Sequence, residues 1–233
     1  MIAGPALVLR LVTAAAVAVT VTASAGTAAA SGRGGAPVEI RPGDRGEQVA
    51  GLQRVLRRHR YYFGPVNGLY TEDLIPAVWA FQHVNGIEPA ATIREDTLRA
   101  LDRPRRPPRI TGHRGKRVEV DLSRRLLVIH QRGVVLVSHI STGSGRRYCV
   151  DGECERARTP PGDFRVHRRV NGWHRSSLGS MYRPLYFHAG YAIHGSFEVP
   201  RRPDSHGCVR VPMALSDRIF RIVRNGWPVY IRR

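Results

Sequence analysis

The spacing of apolar residues changes midway along this chain, and the change falls on a proline-rich stretch. Before it, apolar side chains recur at helical spacing, as in Val49, Leu52, Val55 and Leu56. From Lys116 onward they recur every second residue, as in Arg117-Val-Glu-Val-Asp121. The two periods bury different faces and cannot share one element, so the chain divides into a helical unit and a strand-rich unit. A length of 233 residues suits one large domain or two small ones.

The helical unit spans residues 38–101. Asp44-Arg45-Gly46-Glu47 has the form of a capping box, with Asp44 accepting from first-turn amides and Glu47 reaching back. Residues 61–70, with Gly64-Pro65 and Asn67-Gly68, form a loop. A second helix carries Ile75, Val78, Trp79 and Phe81 and starts near Asp73, so that Pro76 falls in its first turn. A third, short helix holds Thr97, Leu98 and Leu101. Three such helices enclose little core, which suits a binding module better than an enzyme. Residues 102–115 are rich in Pro and Arg, lack apolar periodicity, and should form a semi-extended linker.

The strand-rich unit spans residues 116–232. Residues 126–130 and 134–140 are apolar strands joined by a turn at Gln131-Arg132-Gly133, and further strands fall at 164–170, 185–187 and 191–194. Leu215, Ile219, Phe220, Ile222 and Val223 fit one helix, stopped by Asn225-Gly226, and residues 227–231 close as a strand. The expected fold class is therefore a small three-helix all-α module followed by a mostly β domain with one helix near its end.

Residues 1–30 differ in kind. A single charge, Arg10, precedes an apolar run at 11–21 and small residues at Ala23-Ser24-Ala25 and Ala28-Ala29-Ala30, the pattern of a secretory signal. An uncleaved anchor is the competing reading, although the run is short for a span. Membrane contact is expected only there.

The formal charge of +19 invites a nucleic-acid partner, but only one of the 37 basic residues is a lysine, Lys116. The arginines are dispersed and build no nucleic-acid motif, so no nucleic acid is expected. An exported chain of this charge would instead adhere loosely to anionic wall polymers, or carry solvated arginines with no specific partner.

The three cysteines are an odd number for an oxidising compartment. Cys149 and Cys154 flank Val-Asp-Gly-Glu, a turn sequence that brings them within disulfide range. If they pair, Cys208 stands alone in Ser205-His206-Gly207-Cys208-Val209-Arg210. A thiol of ordinary pKa needs a neighbouring base to act as a nucleophile. Two histidines compete for that role. His194, on a separate strand in Ala192-Ile193-His194-Gly195, has the better geometry. His206, two residues from the thiol, more naturally braces the turn. Asp204 or a backbone carbonyl could fix the imidazole tautomer. The small Gly207 would let the amides of His206, Gly207 and Cys208 converge on an oxyanion.

His194 followed by Ser205-His206-Gly207-Cys208-Val209-Arg210 resembles the signature of the L,D-transpeptidase catalytic domain. Thr159-Pro160-Pro161-Gly162-Asp163-Phe164, Ser141-Thr142-Gly143 and the pattern over 116–127 match as well, so the resemblance spans 116–232. It implies a β-sandwich, with Cys208 as nucleophile, His194 as proton donor and acceptor, and the Gly195 carbonyl orienting His194. It further implies a thioester formed on a peptidoglycan stem tetrapeptide with loss of D-Ala, resolved by another stem's amine into a 3→3 cross-link. No cofactor is involved, and carbapenems would acylate the thiol. Arg210 is given a structural or substrate-orienting role.

The helical unit resembles three-helix peptidoglycan-binding domains through Gly43-Asp44-Arg45-Gly46, Val49, Leu52-Gln53, Leu56, Asn67-Gly68, Ala77-Val78 and Phe81-Gln82. It departs from them at Asn67, Leu74 and Pro76. Tyr182, Tyr186 and Tyr191, with His188, are candidates for the substrate groove or for the core. His167, His174 and His188 form no metal-ligand spacing with the cysteines, so no metal is expected. The same Cys-His constellation also serves an L,D-carboxypeptidase, in which water resolves the thioester, and the chain could be an inactive wall-binding protein. The expected location is secreted and associated with the cell wall.

Overall fold

The computed structural model describes Met1, residues 39–150 and residues 152–233. The expected signal or anchor and the start of the helical unit lie outside the described residues. Among the described residues no helix is long and apolar enough to cross a membrane.

Helix α1 (Glu47–Arg58) buries Val49, Leu52 and Leu56, a stripe three and four residues apart. Its N-cap is Gly46, with no side-chain cap. Asp44 instead accepts from the Arg41 amide at 2.7 Å, and Glu47 pairs with Arg54, so the expected capping box is a closed turn followed by an ion pair. Gln53, fully buried, accepts from the Asn67 and Gly68 amides and donates to the Leu69 carbonyl, which clamps the loop against α1. A 3₁₀ turn (Glu72–Leu74) leads into α2 (Ile75–Asn85), with Pro76 in the first turn, and α3 (Glu95–Asp102) follows.

Strands β1 (Arg117–Asp121), β2 (Leu126–His130), β3 (Val134–His139), β6 (Gly162–Arg165) and β12 (Pro228–Arg232) form one sheet in the order β3-β2-β1-β12-β6. Strands β7 (Arg168–Arg169), β9 (Gly179–His188), β10 (Tyr191–Ser196) and β11 (Val209–Pro212) form a second, in the order β11-β10-β9-β7, with β8 (Trp173–Ser176) also paired to β9. Strands β4 (Arg147–Val150) and β5 (Glu153–Arg156) stand apart as a hairpin. Helix α4 (Met213–Ile222) follows β11.

Val118, Val120, Leu127 and Ile129 from the first sheet meet Leu185, Phe187, Ile193, Val209 and Val211 from the second, with Leu215 and Ile219 of α4, in one core. The opposite face of the first sheet is not free. Leu126, Val128 and Val137 pack into the same cluster as Leu56, Leu74 and Phe81 of the helical turns and Ile93, which bridges to Ile40 just before α3. Strand β2 is apolar along almost its whole length because both of its faces are covered. Residues 39–150 and 152–233 belong to one compact unit.

The segment expected to be a spacer also docks. Arg105 donates its amide to Asn85, and Thr111 donates its hydroxyl to the buried Glu119 at 2.7 Å. Burial pushes the Glu119 carboxyl up, but hydrogen bonds from His130, Arg117 and Thr111 outweigh it and hold the group at about 2.

Other boundaries differ from the sequence expectation. Residues 164–170 are two strands in different sheets, because the chain crosses over at the buried Val166. The helix expected to reach Asn225-Gly226 ends at Ile222, where Val223 turns extended. Hairpin β4–β5 and strand β8 lacked an alternating apolar signal because their residues are mostly exposed.

Candidate active site

Strands β10 and β11 run parallel, with Ile193 opposite Val209 and His194 opposite Arg210. The two-residue period sends Ile193, Val209 and Val211 into the core. It turns His194, Cys208 and Arg210 into a cavity of about 1080 Å³ on the other face. Cys208 is half-buried there and is unpaired. Cys149 and Cys154 are joined by a disulfide across hairpin β4–β5.

His194 is 6% exposed. Its Nδ1 lies 3.0 Å from the Gly195 carbonyl oxygen, which only accepts, so Nδ1 carries the proton and Nε2 is the free acceptor. Asp204, the alternative orienter, faces Arg146 at 3.9 Å instead. A Cβ on Gly195 would come within 2.7 Å of the Ser216 Cβ, so glycine is what lets α4 pack behind the imidazole.

The turn bearing Cys208 is fixed from three sides. Ser205 Oγ accepts from the Gly207 amide at 3.0 Å and donates to the Cys208 carbonyl at 2.6 Å. Thr159 Oγ1 donates to the Gly207 carbonyl at 2.7 Å and accepts from the Gly143 amide at 2.9 Å. Ser141 exchanges backbone hydrogen bonds with Arg210, and its hydroxyl donates to the Arg202 carbonyl while accepting from the Asp204 amide. Gly207 has φ 139°, and a Cβ there would sit 2.5 Å from the Tyr191 ring.

Two expectations change. The Gly207 amide is engaged by Ser205, so it does not join an oxyanion site. His206 is exposed and rests edge-on against Tyr148 at 4.9 Å, with no hydrogen bond among the described residues, so Ser205 and Thr159 brace the turn instead. The Ala192 amide donates to the Cys208 sulfur at 3.4 Å.

Burial lowers the His194 imidazole to about 4, and the Arg210 guanidinium adds to that, while the Gly195 carbonyl opposes it. Burial raises the Cys208 thiol above its ordinary value, with the Ala192 amide and Arg210 pulling the other way. The resting pair is therefore a neutral imidazole and a neutral thiol.

Of the three tyrosine candidates, Tyr186 and Tyr191 line the cavity and Tyr182 does not. Tyr182 packs against Trp173 at 5.1 Å and accepts from Arg183. Tyr186 is buried, hydrogen-bonded to His174 and covered by Arg168, so His174 serves the wall. His188 stacks on Tyr191 outside the cavity lining, and His167 lies against Tyr186. No group of three or more His, Cys, Asp or Glu side chains among the described residues converges as a metal site. Sequence reasoning missed Tyr148, Glu155 and Trp173 as lining residues, because their strands carried no apolar signal. It noted Thr159 within a motif without its bridging role.

A family model described as the L,D-transpeptidase catalytic domain matches residues 115–231. A crystal structure of an L,D-transpeptidase from Xylanimonas cellulosilytica DSM 15894 is similar at 37% identity and a TM-score of 0.81, over 85% of this chain and 99% of that one. Such coverage exceeds the strand-rich unit and takes in the helices. An L,D-transpeptidase from Stackebrandtia nassauensis is similar at 21% identity and a TM-score of 0.47, over 85% of this chain and 98% of that one. An L,D-transpeptidase from Mycobacterium tuberculosis is similar at 17% identity and a TM-score of 0.38, over 51% of this chain and 62% of that one. Among curated proteins no relative matches the chain.

Proposed function

Since the chain belongs to the L,D-transpeptidase family, we propose that it modifies peptidoglycan by acyl transfer through Cys208, with His194 as proton donor and acceptor. The observation that carries this reading is the pairing of β10 with β11. It turns the one free cysteine and a buried, carbonyl-oriented histidine into one cavity.

The donor is a stem tetrapeptide. The Cys208 sulfur attacks the carbonyl on the L-centre side of the bond between diaminopimelate and the terminal D-Ala. His194 Nε2 takes the thiol proton and returns it to the departing D-Ala amine, leaving a thioester. The neutral resting pair means that proton transfer accompanies attack rather than preceding it. With the Gly207 amide held by Ser205, the amides of His206 and Cys208 are left to receive the oxyanion. Arg210 in the cavity wall suits a substrate carboxylate. A side-chain amine of a second stem then displaces the sulfur and forms a 3→3 cross-link. Carbapenems would acylate the same sulfur.

The wall location follows from the N-terminal signal pattern and the substrate, and anionic wall polymers suit the charge of +19. The helical unit would add affinity for peptidoglycan. The reaction is tested by incubating the mature protein with disaccharide-tetrapeptide and analysing products by mass spectrometry. Dimers lacking one D-Ala are expected, whereas tripeptide monomer alone would mean that water, not an amine, resolves the thioester.

A further inference from the structure

The catalytic cavity carries charges that acylation does not use. Glu155 of β5 lines it together with Cys208, although β5 belongs to a hairpin outside both sheets. We propose that Glu155 is the acceptor subsite, where its carboxylate receives the side-chain ammonium of the second stem peptide and presents the amine to the thioester on Cys208. This deepens, and rests on, the transpeptidase reading above.

Register supports the placement. Tyr148 is opposite Glu155 and Cys149 is opposite Cys154, so the two pairs fall on opposite faces of the hairpin. Tyr148 and Glu155 face the cavity, and the disulfide braces the back. Tyr148 donates its hydroxyl to Glu155 Oε2 at 3.2 Å and packs edge-on against His206, two residues before the nucleophile. The Gly145 amide closes the hairpin's base on the Ala157 carbonyl at 2.7 Å, and the adjoining Ser144 amide ties that base to the catalytic turn by donating to the Ser205 carbonyl at 2.9 Å. Burial raises the Tyr191 phenol and the Glu155 carboxylate raises it further, so Glu155 acts on the ring that lies over Gly207, next to Cys208 in the chain.

In a chain with 37 basic residues, Glu155 forms no ion pair among the described residues. A carboxylate left without a cation in the nucleophile's own cavity matches the one cationic reactant. A primary side-chain amine is an ammonium at neutral pH. Carboxylates of the donor are served by the arginines that line the same cavity, Arg168, Arg175 and Arg210.

The step balances as follows. The ammonium docks on Glu155 and loses one proton to water. The free amine attacks the thioester carbonyl, so that the C–N bond forms and the C–S bond breaks. His194 takes the second amine proton and passes it to the departing sulfur, which restores the thiol.

The test titrates acceptor peptide at fixed donor and follows acyl-enzyme, dimer and tripeptide by mass spectrometry. Glu155→Gln should acylate at the wild-type rate, raise the acceptor KM at least about tenfold, and divert thioester to hydrolysis. Glu155→Asp should recover part of the loss. Cys149→Ser with Cys154→Ser should give the same acceptor-selective defect. An unchanged acceptor KM in Glu155→Gln, or acylation slowed as much as dimer formation, overturns the subsite alone. An equal rise in Glu198→Gln, another carboxylate in the cavity wall, overturns it too, since the effect would then be general charge. Wild-type protein that acylates but never forms dimer overturns both the subsite and the transpeptidase reading.

Discussion

At the residue scale, burial acts against the charged forms of both Cys208 and His194, the proposed nucleophile and base. It lowers His194 to about 4 and raises Cys208 above its usual 9.0. An imidazolium–thiolate pair would need the opposite shifts. The sign gives a prediction for the free enzyme. His194 stays neutral down to about pH 4, so acid removes the base only below that value. The thiolate forms only above the ordinary thiol range. The rate of Cys208 alkylation by iodoacetamide, measured from about pH 5 to about pH 10, should therefore keep climbing through the upper end. A plateau already reached at neutral pH would mean that a resting ion pair exists and that the burial argument is wrong.

At the scale of elements, the helices and the first sheet share a core. Leu126, Val128 and Val137 are buried beneath helices that the sequence suggested were a separate binding module. Uncovering three such side chains costs about 5–8 kcal/mol, comparable with the whole stability of a domain. Deleting residues 38–101 should therefore yield an aggregating or unstable strand-rich unit. A truncated protein that melts at the temperature of the full chain, measured by circular dichroism, would contradict the shared core. The sequence carried part of this. The unbroken apolar run of β2 signals a strand covered on both faces, but periodicity cannot say which element supplies the cover. Helix α1 was legible from its stripe, whereas its cap was not, because Asp44 bonds backward to Arg41. Hairpin β4–β5 was invisible to apolar patterning, since its exposed polar strands are held by register and a disulfide rather than by a core.

At the scale of the whole molecule, the site is where distant segments converge. The motif around Cys208 is local and so was legible, as was the candidacy of His194. The support is not local: Thr159 reaches Gly207 across 48 positions, and Ser141 reaches Arg202 across 61. Such contacts leave no spacing in the sequence, and their donors look like ordinary loop residues. The dispersed arginines likewise gave no sign that Arg168, Arg175 and Arg210 gather in one cavity with Glu155. The central claim is that these segments assemble a single nucleophile at Cys208 with His194 as its base. Intact-protein mass spectrometry after incubation with a carbapenem tests it most directly. The wild type should gain one adduct mapping to the peptide that contains Cys208, Cys208→Ala should gain none, and His194→Ala should acylate about 100-fold more slowly or worse. An adduct that persists in Cys208→Ala, or an undiminished rate in His194→Ala, would contradict the account.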